Sequence, residues 1–138
     1  GAGRIVGVGE TADGSELLNL PVANNENNFK IFITALSNCF VESIENYGKS
    51  IQKFDYFWNE IKTSYPHLFK ALLRVKAYRN RSEHLKLTAK MQTVVNEYLH
   101  ADLEGQTFCE VHDADFILQQ CTVEELKVAI SIEISGLS

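Results

Sequence analysis

Residues 27–48, NNFKIFITALSNCFVESIENYG, decide the fold. Phe29, Phe32, Leu36, Cys39, Phe40 and Tyr47 recur there mainly at spacings of three, four and seven. That spacing draws one apolar stripe along a long helix. Gly48 reads as its C-terminal cap and Ser50 as the N-cap of the next helix. Ile51, Phe54, Phe57, Trp58, Ile61 and Tyr65 then repeat the pattern until Pro66. A proline is tolerated only in a first helical turn, so Pro66 marks a new start.

Downstream of Pro66, Leu68, Leu72 and Val75 carry a third helix towards Tyr78. Leu87, Met91, Val94, Val95 and Tyr98 signal a fourth, ending near Gly105. Gln106 to His112 is irregular, and Asp113 is placed to cap a short helix over Phe116 and Ile117. Thr122-Val123-Glu124-Glu125 has the form of a capping box opening a last helix through Leu126 and Ile130. The alternation of Ile130, Ile132 and Ile134 also fits a short strand; the capping box favours helix. The fold expected is all-α, an up-and-down bundle of four to five helices over residues 27–138.

Upstream, residues 1–26 predict a flexible or peripheral N-terminal arm. Glycines at 1, 3, 7, 9 and 14 and the polar cluster Asn24-Asn25-Glu26-Asn27-Asn28 punctuate it. Arg4-Ile5-Val6-Gly7-Val8-Gly9 has a superficial likeness to a phosphate-binding glycine turn. It lacks the following lysine and the strand–turn–helix setting, so it reads as a strand-like arm or the tail of a preceding domain.

The chain has 138 residues, 45% apolar and 22% charged, which suits one globular domain able to bury a core. The aromatic stripes supply that core, with part of their surface available for a dimer seam. No apolar run reaches the roughly 20 residues of a membrane span. The opening Gly1-Ala2-Gly3-Arg4 lacks the apolar stretch of a signal peptide, so a cytoplasmic location without membrane contact is expected. Cys39, Cys109 and Cys121 are odd in number and widely spaced, which predicts reduced, mostly buried thiols. His67 reads as an ordinary first-turn residue. His100 and His112 have no Cys or acidic partner at ligand spacing, and no cofactor motif occurs, so neither metal nor cofactor is expected. Asp113 and Asp115 read as capping residues.

The net charge is −5, which argues against a generic nucleic-acid coat protein. It conceals a local asymmetry. Between residues 70 and 90 stand Lys70, Arg74, Lys76, Arg79, Arg81, Lys86 and Lys90 against the single acid Glu83. A basic island in an acidic chain is a candidate site for a polyanion. At its centre lies Tyr78-Arg79-Asn80-Arg81-Ser82-Glu83-His84, which sets a guanidinium, an amide and an imidazole within six residues. Asn80 and His84 are four apart and would share a helix face. Arg79 and His84 are five apart, about 140° round a straight helix, and converge only at a helix end, a bend or a dimer interface.

The stretch Leu73 to His84 resembles the signature of the HEPN superfamily (higher eukaryotes and prokaryotes nucleotide-binding domains). Its members are small helical bundles with an Arg-x(4–6)-His motif in which Asn commonly follows the Arg. The resemblance covers the motif closely and the remainder in helix count, length and motif placement. It implies RNA as ligand, a homodimer, a partner or antitoxin protein, and in many members metal-independent endoribonuclease activity. It further implies that His84 moves protons, that Arg79 holds the phosphate and that Asn80 orients His84 or the backbone. Arg74, Lys76, Arg81 and Lys86 would then supply the electrostatic approach to RNA. Two positions depart from the pattern: Lys86 stands where some toxin-type members carry Tyr, and Glu83 puts a negative charge beside His84. Either departure permits a degenerate member that binds RNA or protein without cutting; the rival reading is a non-catalytic module that dimerises through its aromatic helices as part of a larger defence or signalling protein.

Overall fold

The computed structural model describes residues 20–83 and 86–136. The arm up to residue 19, with its Arg4–Gly9 stretch, lies outside the described residues, and so do His84 and Leu85. Among the described residues there is no strand, and five helical rods pack into an all-α bundle.

The first rod is continuous but not uniform. It runs through α1 (Glu26–Leu36), a π-helical segment π1 (Ser37–Glu42) and α2 (Ser43–Ser50). Asn25 opens it by accepting the Asn28 backbone N–H at 2.8 Å, so the asparagine cluster acts as a helix cap. Of the expected stripe, Phe29, Phe32, Leu36 and Cys39 are buried, joined by Ile33, while Phe40 and Tyr47 are half-buried. Just upstream, the last part of the expected arm is docked. Ala23 is fully buried, and Gln119 of the last helix receives its N–H and donates to the Pro21 carbonyl.

Gly48 does not cap this rod, which ends at Ser50. Its role is close approach. A Cβ built there would stand 2.3 Å from the Tyr56 Cβ and 2.9 Å from the Lys53 carbonyl. Only a residue without a side chain lets residues 53–56 cross the helix, a crossing tied by Lys53 N–H to the Gly48 carbonyl at 2.8 Å. The next helix therefore starts later than the spacing suggests, as π2 (Phe57–Ile61) and α3 (Lys62–Ser64). Ser50 caps nothing there, and Phe54 stands 72% exposed on the connection.

Pro66 opens α4 (Pro66–Ser82) at its first turn, as expected. This is the central rod, in contact with α1, π1, α5 (Ala89–Asp102) and α6 (Ala114–Gly136). Leu68, Leu72, Val75 and Tyr78 line its inner face. Thr88 caps α5 by accepting from Met91 N–H, and Gly105, with φ +82°, turns the chain out of it. A short 3₁₀ turn (Phe108–Glu110) leads to α6.

Here the expected capping box is overturned. Thr122 lies in the middle of one unbroken 23-residue helix, and its buried hydroxyl donates to the Leu118 carbonyl at 2.7 Å. Nothing between Ala114 and Thr122 breaks a helix, and a threonine satisfied by the carbonyl four residues back has no need to start one. The Ile130–Ile134 alternation is helical too, with Ile132 and Ile134 exposed.

One buried carboxylate joins the rods. Asp102, at the end of α5, accepts Arg74 Nε at 3.1 Å, Arg74 Nη2 at 3.0 Å and the Tyr78 hydroxyl at 2.6 Å. The Arg74 and Asp102 side chains are only 11% and 5% exposed. Arg74 also stacks on the Tyr98 ring at 4.6 Å, and the Tyr98 hydroxyl donates to the Lys70 carbonyl. Burial, then the hydrogen bond to Asp102, holds the Tyr78 phenol far above its ordinary value, so it remains a donor. The Cys121 thiol of α6 is pushed up by burial first and the Asp102 charge second.

Two stability outcomes follow from this geometry. Asp102→Ala strands a buried guanidinium and should cost about 3–5 kcal/mol, read by urea unfolding. Replacing Arg74 and Asp102 together with Met and Leu should cost well under the sum of the single losses. Gly48→Ala should cost about 1–3 kcal/mol through the clash with Tyr56 and Lys53, and a neutral result would remove the close-approach argument.

Candidate functional site

The basic island does not remain an island once folded. Arg74, counted above among RNA-binding residues, is corrected to a core residue, because its side chain is buried and Asp102 takes its Nε and Nη2 donors. Lys76 pairs with Glu45 of α2 at 3.3 Å. Lys90 lies over the Trp58 ring at 5.6 Å. Lys86 is exposed on the connection between α4 and α5.

Arg79 and Arg81 occupy the last turn of α4, where cations favour the negative end of the helix dipole. Two residues are about 200° apart on a helix, so the two guanidinium groups leave on opposite flanks. Arg79 turns towards π1. Its Nη2 stands 3.7 Å from a Glu42 carboxylate oxygen and its Nε 4.0 Å from Glu83. Both distances exceed hydrogen-bond length, and Nε has no hydrogen-bond partner. The side chain is 31% exposed, so the cation is balanced but loosely held. Asn80 follows it, half-exposed.

α4 stops at Ser82, with Glu83 as its C-cap, and residues 86–88 are not helical. His84 itself lies outside the described residues.

On the opposite flank Arg81 stacks over the Phe108 ring at 4.5 Å. Arg81, Ser82, Phe108, Glu26, Phe29 and Asp115 line a cavity of about 230 Å³ between the end of α4 and the first turns of α1 and α6. Asp115 is more than a capping residue: burial raises its carboxyl above the ordinary 3.8, Arg81 pulls it back and Glu26 raises it again. Sequence reading missed Asp115, Phe108 and Glu42. Their partners lie on other rods, and no local spacing announces them.

None of the three cysteines is in a disulfide; Cys39 is buried and Cys121 half-buried, but Cys109 is exposed on the 3₁₀ turn. No group of three metal-ligating side chains occurs among the described residues. No described helix is long and apolar enough to cross a membrane.

The class these observations define is an all-α bundle with an arginine-bearing helix end braced by carboxylates from neighbouring rods. Comparison with protein-family models, with curated proteins and with solved structures gives no match for the chain.

The raised Asp115 carboxyl has a signed consequence. Its folded value lies above its unfolded value, so its contribution to stability is complete below pH 3.8 and is lost as pH rises through the folded value. Asp115→Asn should remove that component. Its melting temperature relative to wild type should rise with pH across the carboxylate range, and a constant difference would show that Asp115 titrates as in the unfolded chain.

Proposed function

We propose that the chain is a HEPN-like RNA-binding domain that works as a homodimer and cuts RNA without a metal ion. The observation that carries this reading is the state of Arg79: a partly exposed side chain at a helix end, beside Asn80, whose ion pairs among the described residues, to Glu42 and Glu83, are both long. A phosphate oxygen offers such a group the short, charge-assisted hydrogen bonds that Glu42 and Glu83 do not make. RNA carries its own nucleophile. The 2′-hydroxyl attacks the adjacent phosphorus, loses its proton to a base and expels the 5′-oxygen, which takes up a proton from an acid. An imidazole serves both proton transfers near neutral pH, which is the role of His84, and Arg79 stabilises charge gathering on the phosphoryl oxygens.

In this scheme Glu42 and Glu83 are competitors that phosphate must displace. They also favour a second reading, a non-catalytic interaction module in which Arg79 stays paired and RNA is not cut. The two separate in one experiment with purified protein, single-stranded RNA and EDTA. The nuclease reading expects RNA cleavage that His84→Ala abolishes while binding and melting temperature stay unchanged, and that Arg79→Ala weakens together with binding. Glu42→Gln should tighten RNA binding several-fold at low salt. Absence of both cleavage and binding, in wild type and in Glu42→Gln, leaves the interaction module.

A further inference from the structure

The cavity beside Arg81 is separate from the Arg79 flank and has its own chemistry. Its about 230 Å³ falls below the roughly 300–1,000 Å³ of sites for whole drug-sized ligands, so it suits a fragment the size of one planar ring system. Phe29 and Phe108 supply apolar walls, and the Arg81 guanidinium carbon already stands over the Phe108 ring at 4.5 Å. The polar groups are of two kinds. Arg81 offers donors only, and the carboxylate of Asp115 offers acceptors, with Glu26 adding a second acidic side chain to the lining. With one cation and two acids at its rim, the cavity repels a phosphate. It fits a neutral heterocycle with acceptors on one side and donors on the other.

We propose that this cavity is a guanine-binding subsite. Guanine presents two adjacent acceptors, O6 and N7, which an arginine fork meets in bidentate fashion. On its other edge it presents two adjacent donors, N1–H and the N2 amino group, which match a carboxylate. Adenine sets its amino donor where the arginine needs an acceptor, and pyrimidines lack the second edge. Stacking on an aromatic ring adds affinity that is indifferent to base identity, so Arg81 and Asp115 carry the discrimination. The same base chemistry can come from a free guanine nucleotide or from an unpaired guanosine in RNA. RNA as the source rests on the function proposed above. Arg79 and Arg81 leave the same helical turn on opposite flanks, so a strand crossing the end of α4 meets a phosphate-binding group and a base pocket in succession.

Two titrations on the full chain test the proposal. In the first, guanosine and adenosine, which carry no phosphate, are followed by NMR at the Ser82, Phe108 and Asp115 amides. Saturable shifts with guanosine, little response to adenosine and no effect of Arg79→Ala are expected. No saturable shift with guanosine at millimolar concentration, or equal shifts with adenosine, overturns the subsite. In the second, single-stranded RNA oligomers with and without one guanosine are compared, with free guanosine monophosphate alongside. The guanosine oligomer should bind about tenfold more tightly than its guanosine-free counterpart. Asp115→Asn should erase that preference while leaving affinity for the guanosine-free oligomer intact; if that variant fails to fold, Arg81→Gln should erase the preference while weakening both oligomers through the lost cation. Arg79→Ala should weaken both oligomers equally. Equal affinity for the two oligomers overturns the subsite and leaves RNA binding standing. Guanosine binding without binding of either oligomer overturns the RNA reading and assigns the cavity to free guanine nucleotides.

Discussion

The buried Asp102 carboxylate constrains the bundle more than any other single group. It ends α5, grips Arg74 through two hydrogen bonds and receives the Tyr78 hydroxyl one turn later on the same helix. Two attachments at positions i and i+4 fix the rotation of α4 about its own axis, because a slip of one residue would turn both away by about 100°. With that rotation set, Leu68, Leu72 and Val75 face inward and Arg79 and Asn80 are carried to the outer side of the last turn. A buried ion pair is weak evidence of stability for its own sake, since apolar replacements of similar volume often do as well. Its value here is orientation. The position of every polar group at the far end of α4 is inherited from it.

The electrostatics of that end are a competition. The chain is acidic overall, and its cations are answered by acids from other rods: Asp102 for Arg74, Glu45 for Lys76, Glu42 for Arg79 and Asp115 beside Arg81. Any anion arriving here exchanges an internal carboxylate for itself, and the balance is set by hydrogen-bond quality as well as by net charge. Arg74 is buried against Asp102 and takes no part. Arg79 is compensated in charge but unsaturated in hydrogen bonding, the condition under which a better acceptor wins.

The helices of the bundle were legible where the apolar spacing and the strong punctuation agreed. The stripe from Phe29 to Cys39, the start at Pro66 and the exit at Gly105 all follow from local chemistry that the folded chain obeys. Reading failed where two local meanings compete. Gly48 serves equally as a cap or as a point of close approach, and the choice depends on Tyr56 crossing over it. Thr122 serves equally as a cap or as a side chain bonded to the preceding turn, and the choice depends on an unbroken α6. For the candidate site, the motif around Arg79 was visible as a run of residue types. Arg74 was misjudged because its partner lies 28 residues away, and the Asp115 cavity was invisible because three separate rods build it.

The π-helical turn at Ser37–Glu42 carries a further consequence. A π turn holds one residue more than the α turns around it, and the rod resumes ordinary winding at Ser43. Wound as regular α-helix, the same residues would carry what lies beyond the turn about 1.5 Å farther along the axis and about 100° farther round, so a different side chain would confront Arg79. The wide turn thus acts as a phase corrector: it takes up one residue so that Glu42, at its end, faces Arg79 while the rod beyond winds normally.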